Sequence, residues 1–186
     1  MLAVLHTPWF RVPALAVLVV TLQTVVVSQV HFLGASADLV VLCAVAGGLV
    51  AGPQRGTVNG FVFGIVYDLA LTTPFGLWPL VLCVAGFTVG LTRNEAIRDN
   101  HWLQMAIVFV ASGTVMVAYA AVATVFGSEA VLTLRLIPTT LVVAVVNAAL
   151  TRPAVRVMRF TLLAGDRRPV ESRGEGNLPP LTNRPV

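Results

Sequence analysis

Six apolar runs follow one another between residues 13 and 151, joined by connections too short to fold by themselves. They span about 13–30, 38–51, 54–71, 76–91, 101–126 and 131–151. A bilayer core takes about 20 apolar residues per helix. Within it, backbone polar groups must be satisfied inside a helix or a closed barrel. The runs therefore predict an all-α integral membrane protein with six transmembrane helices. The run 38–51 is short, which predicts a thin, steeply packed or partly re-entrant element. Charged residues make up 11% of the chain against 57% apolar. Soluble domains carry about 25% charged residues, so this chain lacks the charge to cover a solvated surface.

Arginine sets the expected orientation. The chain has 12 basic residues, all Arg. Arg11 precedes the first run, Arg55 lies between the second and third, and Arg93 and Arg98 lie between the fourth and fifth. Arg152, Arg156, Arg159, Arg167, Arg168, Arg173 and Arg184 follow the sixth. The connections 31–37, 72–75 and 127–130 hold no Arg, and Arg135 is the one exception, just inside the sixth run. Short cytoplasmic loops are the Arg-rich ones, so both termini are expected in the cytoplasm. A pI near 10.0 fits this topology signal better than nucleic-acid binding.

The expected division is a cytoplasmic N-terminus at 1–12, a six-helix domain at 13–151, and a basic Pro/Gly-rich cytoplasmic tail at 152–186, largely disordered. Ala35-Ser36-Ala37 looks like a signal cleavage site. The run before it is longer than the usual 7–15 residues of a signal sequence, so we expect no cleavage. In the first part of the tail, Arg152, Arg156 and Arg159 share one helical face and Val155, Met158 and Leu162 another. This pattern suits a helix lying along the membrane, with the Arg face against anionic lipid. It equally suits a bare topology signal.

Little in the runs can carry chemistry. HExxH and GxSxG are absent, and Tyr67-Asp68 stands without the second aspartate an intramembrane protease dyad requires. His6, His31 and His101 are scattered at boundaries, as are Trp9, Trp78 and Trp102, which suit interfacial anchors. Cys43 and Cys83 lie inside apolar runs and read as buried hydrophobes. No enzyme, metal site or cofactor is expected. Gln23, Gln29, Asn59 and Asn147 fall within runs and suit interhelical hydrogen bonds. Asp68 and Arg135, at the same expected depth, are a candidate intramembrane ion pair, since each is otherwise a costly lone charge.

Glycine spacing is the most regular feature. Gly48, Gly52, Gly56, Gly60 and Gly64 recur every four residues, and Gly86 and Gly90 repeat the interval. Small residues at this spacing let helix backbones approach closely in lipid. The expectation is packing within the chain before any seam between copies.

The order of short motifs resembles a known family. Leu22-Gln23 is followed by Phe32-Leu33-Gly34, Ala37-Asp38-Leu39, Gly52-Pro53-Gln54-Arg55-Gly56, Gly60-Phe61, Gly64 and Asp68-Leu69. Pro74-Phe75-Gly76-Leu77, Gly86-Phe87 and Gly90 complete the series. Over about residues 20–92 this resembles the rod shape-determining protein MreD family. The departures are Ala37, where the family usually has Pro, and Phe75 within its usual Pro-Leu-Gly. The resemblance implies a multi-pass protein of the bacterial plasma membrane. It implies a fold like the substrate-binding subunits of energy-coupling-factor transporters. It further implies a scaffold in cell-wall elongation that binds an MreC-like single-span protein, and through it MreB filaments, RodA and a class B penicillin-binding protein. The outer turn with Thr72, Pro74, Phe75, Gly76 and Trp78 is then a candidate partner contact. The other reading open at this point is a small-molecule binding subunit of such a transporter, with Asp38, Asp68, Thr72, Thr73, Trp78, Glu129 and Arg135 around an outer pocket.

Overall fold

The computed structural model describes residues 8–25, 38–71, 76–125 and 136–163. Every regular element among these residues is helical: α1 (Pro8–Val25), α2 (Leu39–Ala51), α3 (Pro53–Ala70), α4 (Leu77–Leu91), α5 (Glu95–Asp99), α6 (His101–Val125), α7 (Leu136–Ala149) and α8 (Thr151–Leu163). Four of the expected runs match α2, α3, α4 and α6 to within a residue at each end. The first run differs. Pro13 reads as a helix start, yet it lies inside α1, with Pro8 at the beginning. Proline suits a first helical position, where no N–H is needed. One turn further in, it forfeits a single ladder bond. Residues 26–30 and 131–135 lie outside the described residues.

α2 is the hub. Residues 40–50 are all buried, and the helix touches α1, α3, α4, α6 and α8. A helix that is apolar all round must be covered all round. Its 13 residues rise about 20 Å, less than the ~30 Å hydrocarbon thickness. Protein, not lipid, surrounds this short element. Its start is capped by Asp38, whose carboxylate accepts the Val40 and Val41 N–H groups at 3.1 Å each. Its end is a tight turn. Gly52 takes φ 85° and donates its N–H to the Gly48 carbonyl at 2.9 Å, and Pro53 opens α3.

α3 and α4 pack most closely of all pairs, and both pack on α2. A side chain at Gly56 would strike the Gly86 carbonyl, and one at Gly86 the Gly56 carbonyl. Gly48 faces Gly86 and Gly90, Gly60 faces the Leu82 carbonyl, Gly64 faces Pro79, and Gly90 faces Pro53. The glycine ladder thus brings three backbones of one chain into contact. Gly52 is the exception. An added methyl there would meet only the Arg93 side chain, so its place in the pattern belongs to the turn and not to helix packing.

α6 lies at the edge, with 22% of its most apolar window buried. Its inner face carries Gln104, Val108, Ser112 and Val115. α7 packs mainly against it. The chain then bends by 60° between α7 and α8. Residues 151–163, placed by the sequence at the start of the tail, form a helix docked on α2. Val155, Met158 and Leu162 are buried there, so the apolar face of the expected membrane-surface helix packs on protein. Arg152, Arg156 and Arg159 lie on the exposed face.

Large exposed apolar side chains lie on α1, α3, α4, α6, α7 and α8, among them Leu18, Phe61, Val84, Val117, Leu141 and Phe160. Exposed apolar surface on this scale marks contact with lipid or partners. Among the described residues, α6 alone is long and apolar enough to cross a membrane unaided, and the bent α7–α8 pair qualifies if taken as one span. α1, α2 and α4 are shorter apolar helices.

Candidate functional site

Two features stand apart from packing: a polar and aromatic cluster at one end of the bundle, and a lateral groove that begins beneath it. The cluster forms where α1 and α3 end and α2 and α4 begin. Gln23 accepts the Leu39 N–H at 2.9 Å and also reaches the Tyr67 hydroxyl. Tyr67 meets Trp78 edge-on, with ring centroids 4.9 Å apart, and Trp78 stacks on Tyr119 at 4.2 Å. One aromatic column therefore ties α3, α4 and α6. Aromatic pairs in such geometry contribute about 0.5–1.5 kcal/mol beyond their buried area.

Asp68 closes the cluster. It is 3% exposed, and its Oδ2 accepts the Gly76 N–H at 2.5 Å. Gly76 sits at φ 102° just before α4. The carboxylate thus ties the end of α3 to the residue that precedes α4. Asp68 Oδ1 and Trp78 Nε1 are buried with no hydrogen-bond partner among the described residues. Arg135, Thr72, Pro74 and Phe75 lie outside the described residues, as do Thr73 and Glu129. Trp78 is 6% exposed. Its ring faces inward, between Tyr67 and Tyr119, and not outward as an interfacial anchor would. Trp102, at 77% exposed, does stand outward.

Beneath the Trp78–Tyr119 stack, α4 and α6 flank an open groove of about 740 Å³. Leu80, Val84 and Thr88 line it from α4, and Val110, Thr114 and Ala118 from α6. Thr88 and Thr114 donate their hydroxyls to the Val84 and Val110 carbonyls of their own helices. Their polar atoms are thereby satisfied, and the groove presents methyl groups. The resulting surface suits an apolar helix. No sequence motif marks it, because its lining is ordinary membrane-helix composition.

Other polar residues find partners between helices. Asn147 donates to Ser112 Oγ at 3.1 Å, with both side chains fully buried. Asn59 donates to the Cys43 carbonyl at 3.2 Å. A side chain at Gly47 would collide with Asn59, so Gly47, outside the four-residue ladder, is what admits the amide. That pairing has no signature in spacing. Gln29 lies outside the described residues.

The model of the rod shape-determining protein MreD family matches residues 5–161. The chain belongs to the MreD family. The match extends past the motifs of the first four runs and includes α6, α7 and most of α8. MreD proteins are membrane proteins of the bacterial cell envelope with a structural role in rod shape determination. No curated protein and no solved structure matches the chain.

Proposed function

We propose that this MreD protein is a non-enzymatic, six-span scaffold of the cell-wall elongation complex, with both termini in the cytoplasm. It binds an MreC-like single-span protein and helps maintain rod shape during peptidoglycan synthesis. The family match over residues 5–161 carries this reading. The partner's membrane helix seats in the groove between α4 and α6. Two properties support that seat. Its walls are apolar and small, as close helix packing in lipid requires. One wall, α6, is also long and apolar enough to cross a bilayer unaided.

The test is photocrosslinking from Val110 and Thr114, with Val17 on the far helix α1 as control, followed by mass spectrometry of the adducts from native membranes. The expected adduct is an MreC-like protein from the groove positions and not from Val17. Copurification with paired ATPases and a coupling membrane subunit, and no wall-synthesis protein, would replace the scaffold with a transporter subunit.

A further inference from the structure

At the opposite end of the bundle from the aromatic cluster lies a cavity of about 310 Å³. Its floor is apolar, from Leu49 and Val50 of α2, Ile97 of α5, and Val155 and Leu163 of α8. Its rim carries Arg93, Arg98 and Arg159, with Asp99 as the acidic group. The rim is therefore net positive by two charges, three Arg less one Asp.

The framework around this rim is built. Buried Gln104 donates from Nε2 to the Ile97 and Arg98 carbonyls at 3.0 and 2.9 Å. That holds α5 against the start of α6. Arg159 donates to the Arg98 carbonyl at 3.5 Å, which joins α8 to the same segment. Asp99 lies 3.8 Å from the Arg98 guanidinium, in an exposed pair. Such a pair is worth little in water. The Arg93 side chain has no hydrogen bond or ion pair among the described residues. Its guanidinium rests over the Gly52 turn.

We propose that this cavity is a binding site for an anionic phospholipid of the cytoplasmic leaflet. The phosphate lies among Arg93, Arg98 and Arg159, and the glycerol and first acyl carbons lie on the apolar floor. Guanidinium groups recognise phosphate oxygens through paired N–H donors. Three of them at one rim repel one another until an anion joins them. The floor is what separates this site from a bare anion site, since free phosphate gains nothing from Leu49, Val155 or Leu163. The proposal does not depend on the identity of the protein partner.

The test is native mass spectrometry of the purified full chain titrated with phosphatidylglycerol, phosphatidylcholine and inorganic phosphate. Wild type should bind one phosphatidylglycerol in preference to phosphatidylcholine. Each rim Arg near the membrane surface is worth about fivefold, so Arg93→Gln/Arg98→Gln should weaken phosphatidylglycerol by roughly 25-fold. Arg152→Gln/Arg156→Gln removes equal charge from the exposed face of α8 and should leave binding near wild type. Arg93→Gln alone breaks no bond within the protein. It should still cost about fivefold, so it serves if the double variant fails to fold. Equal losses in the two double variants, or no preference between headgroups, would overturn the site. Inorganic phosphate competing as well as the lipid would overturn the role of the floor and the lipid assignment with it.

Discussion

The α2–α3–α4 junction and the α6–α7 arm are both helix packing in an apolar surround, yet they are held differently. At the junction, backbones touch. Added side chains at Gly48, Gly56, Gly60, Gly64, Gly86 and Gly90 would run into main-chain atoms. In the arm, side chains mediate the contact. Gly113 would meet nothing closer than a Thr140 methyl at 3.9 Å, and a buried hydrogen bond, Asn147 to Ser112, crosses the interface. Without a hydrophobic drive between helices in lipid, close backbone approach and interhelical hydrogen bonds are the main sources of cohesion. The junction combines close approach with the Asn59–Cys43 hydrogen bond, whereas the arm has no comparable backbone approach among the described residues. A closely packed centre with a side-chain-mediated edge is compatible with the partner seat proposed between α4 and α6.

Substitutions in four classes would break or sharpen this contrast. The largest effect is expected from Gly86→Leu, or equally Gly60→Leu or Gly64→Leu. The new side chain would have to displace main chain, costing about 3 kcal/mol or more. Size-exclusion profiles in mild detergent should show little folded protein, and cells relying on the variant should lose rod shape. Wild-type yield and normal rods would show that the junction can open without penalty.

Gly52→Ala comes next. The backbone at φ 85° and ψ −176° is essentially a glycine conformation, and alanine there costs about 1–3 kcal/mol. A lowered thermal midpoint with an intact elution profile is expected, because the strain lies in the turn and not in the contact. Unchanged melting would mean the turn relaxes freely.

Asn147→Ala removes the arm's hydrogen bond, worth roughly 0.6–1.7 kcal/mol by analogy with other membrane helix pairs. The fold should persist, while crosslinking between α6 and α7 should broaden. A loss as large as that of Gly86→Leu would place arm and junction on equal footing. Smallest of all is Gly113→Ala, expected within about 0.5 kcal/mol of wild type by the same melting assay. A strong defect there would mean the arm packs as tightly as the junction.

Much of this architecture can be read along the chain. The limits of α2, α3, α4 and α6 follow from where apolar runs meet Gly, Pro and charged residues. The glycine interval shows that some helices approach closely. The order of the Gly-rich motifs carries the family resemblance. What spacing leaves open is which partner each glycine meets. Gly52 fits the interval and serves the turn, whereas Gly47 breaks the interval and makes room for Asn59. Trp78 has the composition of an interfacial anchor, yet it is drawn inward by Tyr67 and Tyr119, residues 11 and 41 positions away. The sequence offers Arg135 as a partner for Asp68, and the partner seen among the described residues is the backbone N–H of Gly76, just before α4.

The sequence by itself determined an all-helical chain suited to lipid, the concentration of Arg in alternate connections, and the small-residue stripe. Those properties are sums over neighbouring residues, so composition and periodicity contain them. Only the tertiary structure decided that α2 is enclosed, that α8 turns back to cover it, and that a groove remains between α4 and α6. Each of these depends on distances between residues far apart in the chain. A short helix that is apolar on every side announces that it needs covering, but which helix supplies the cover is settled by close packing in three dimensions.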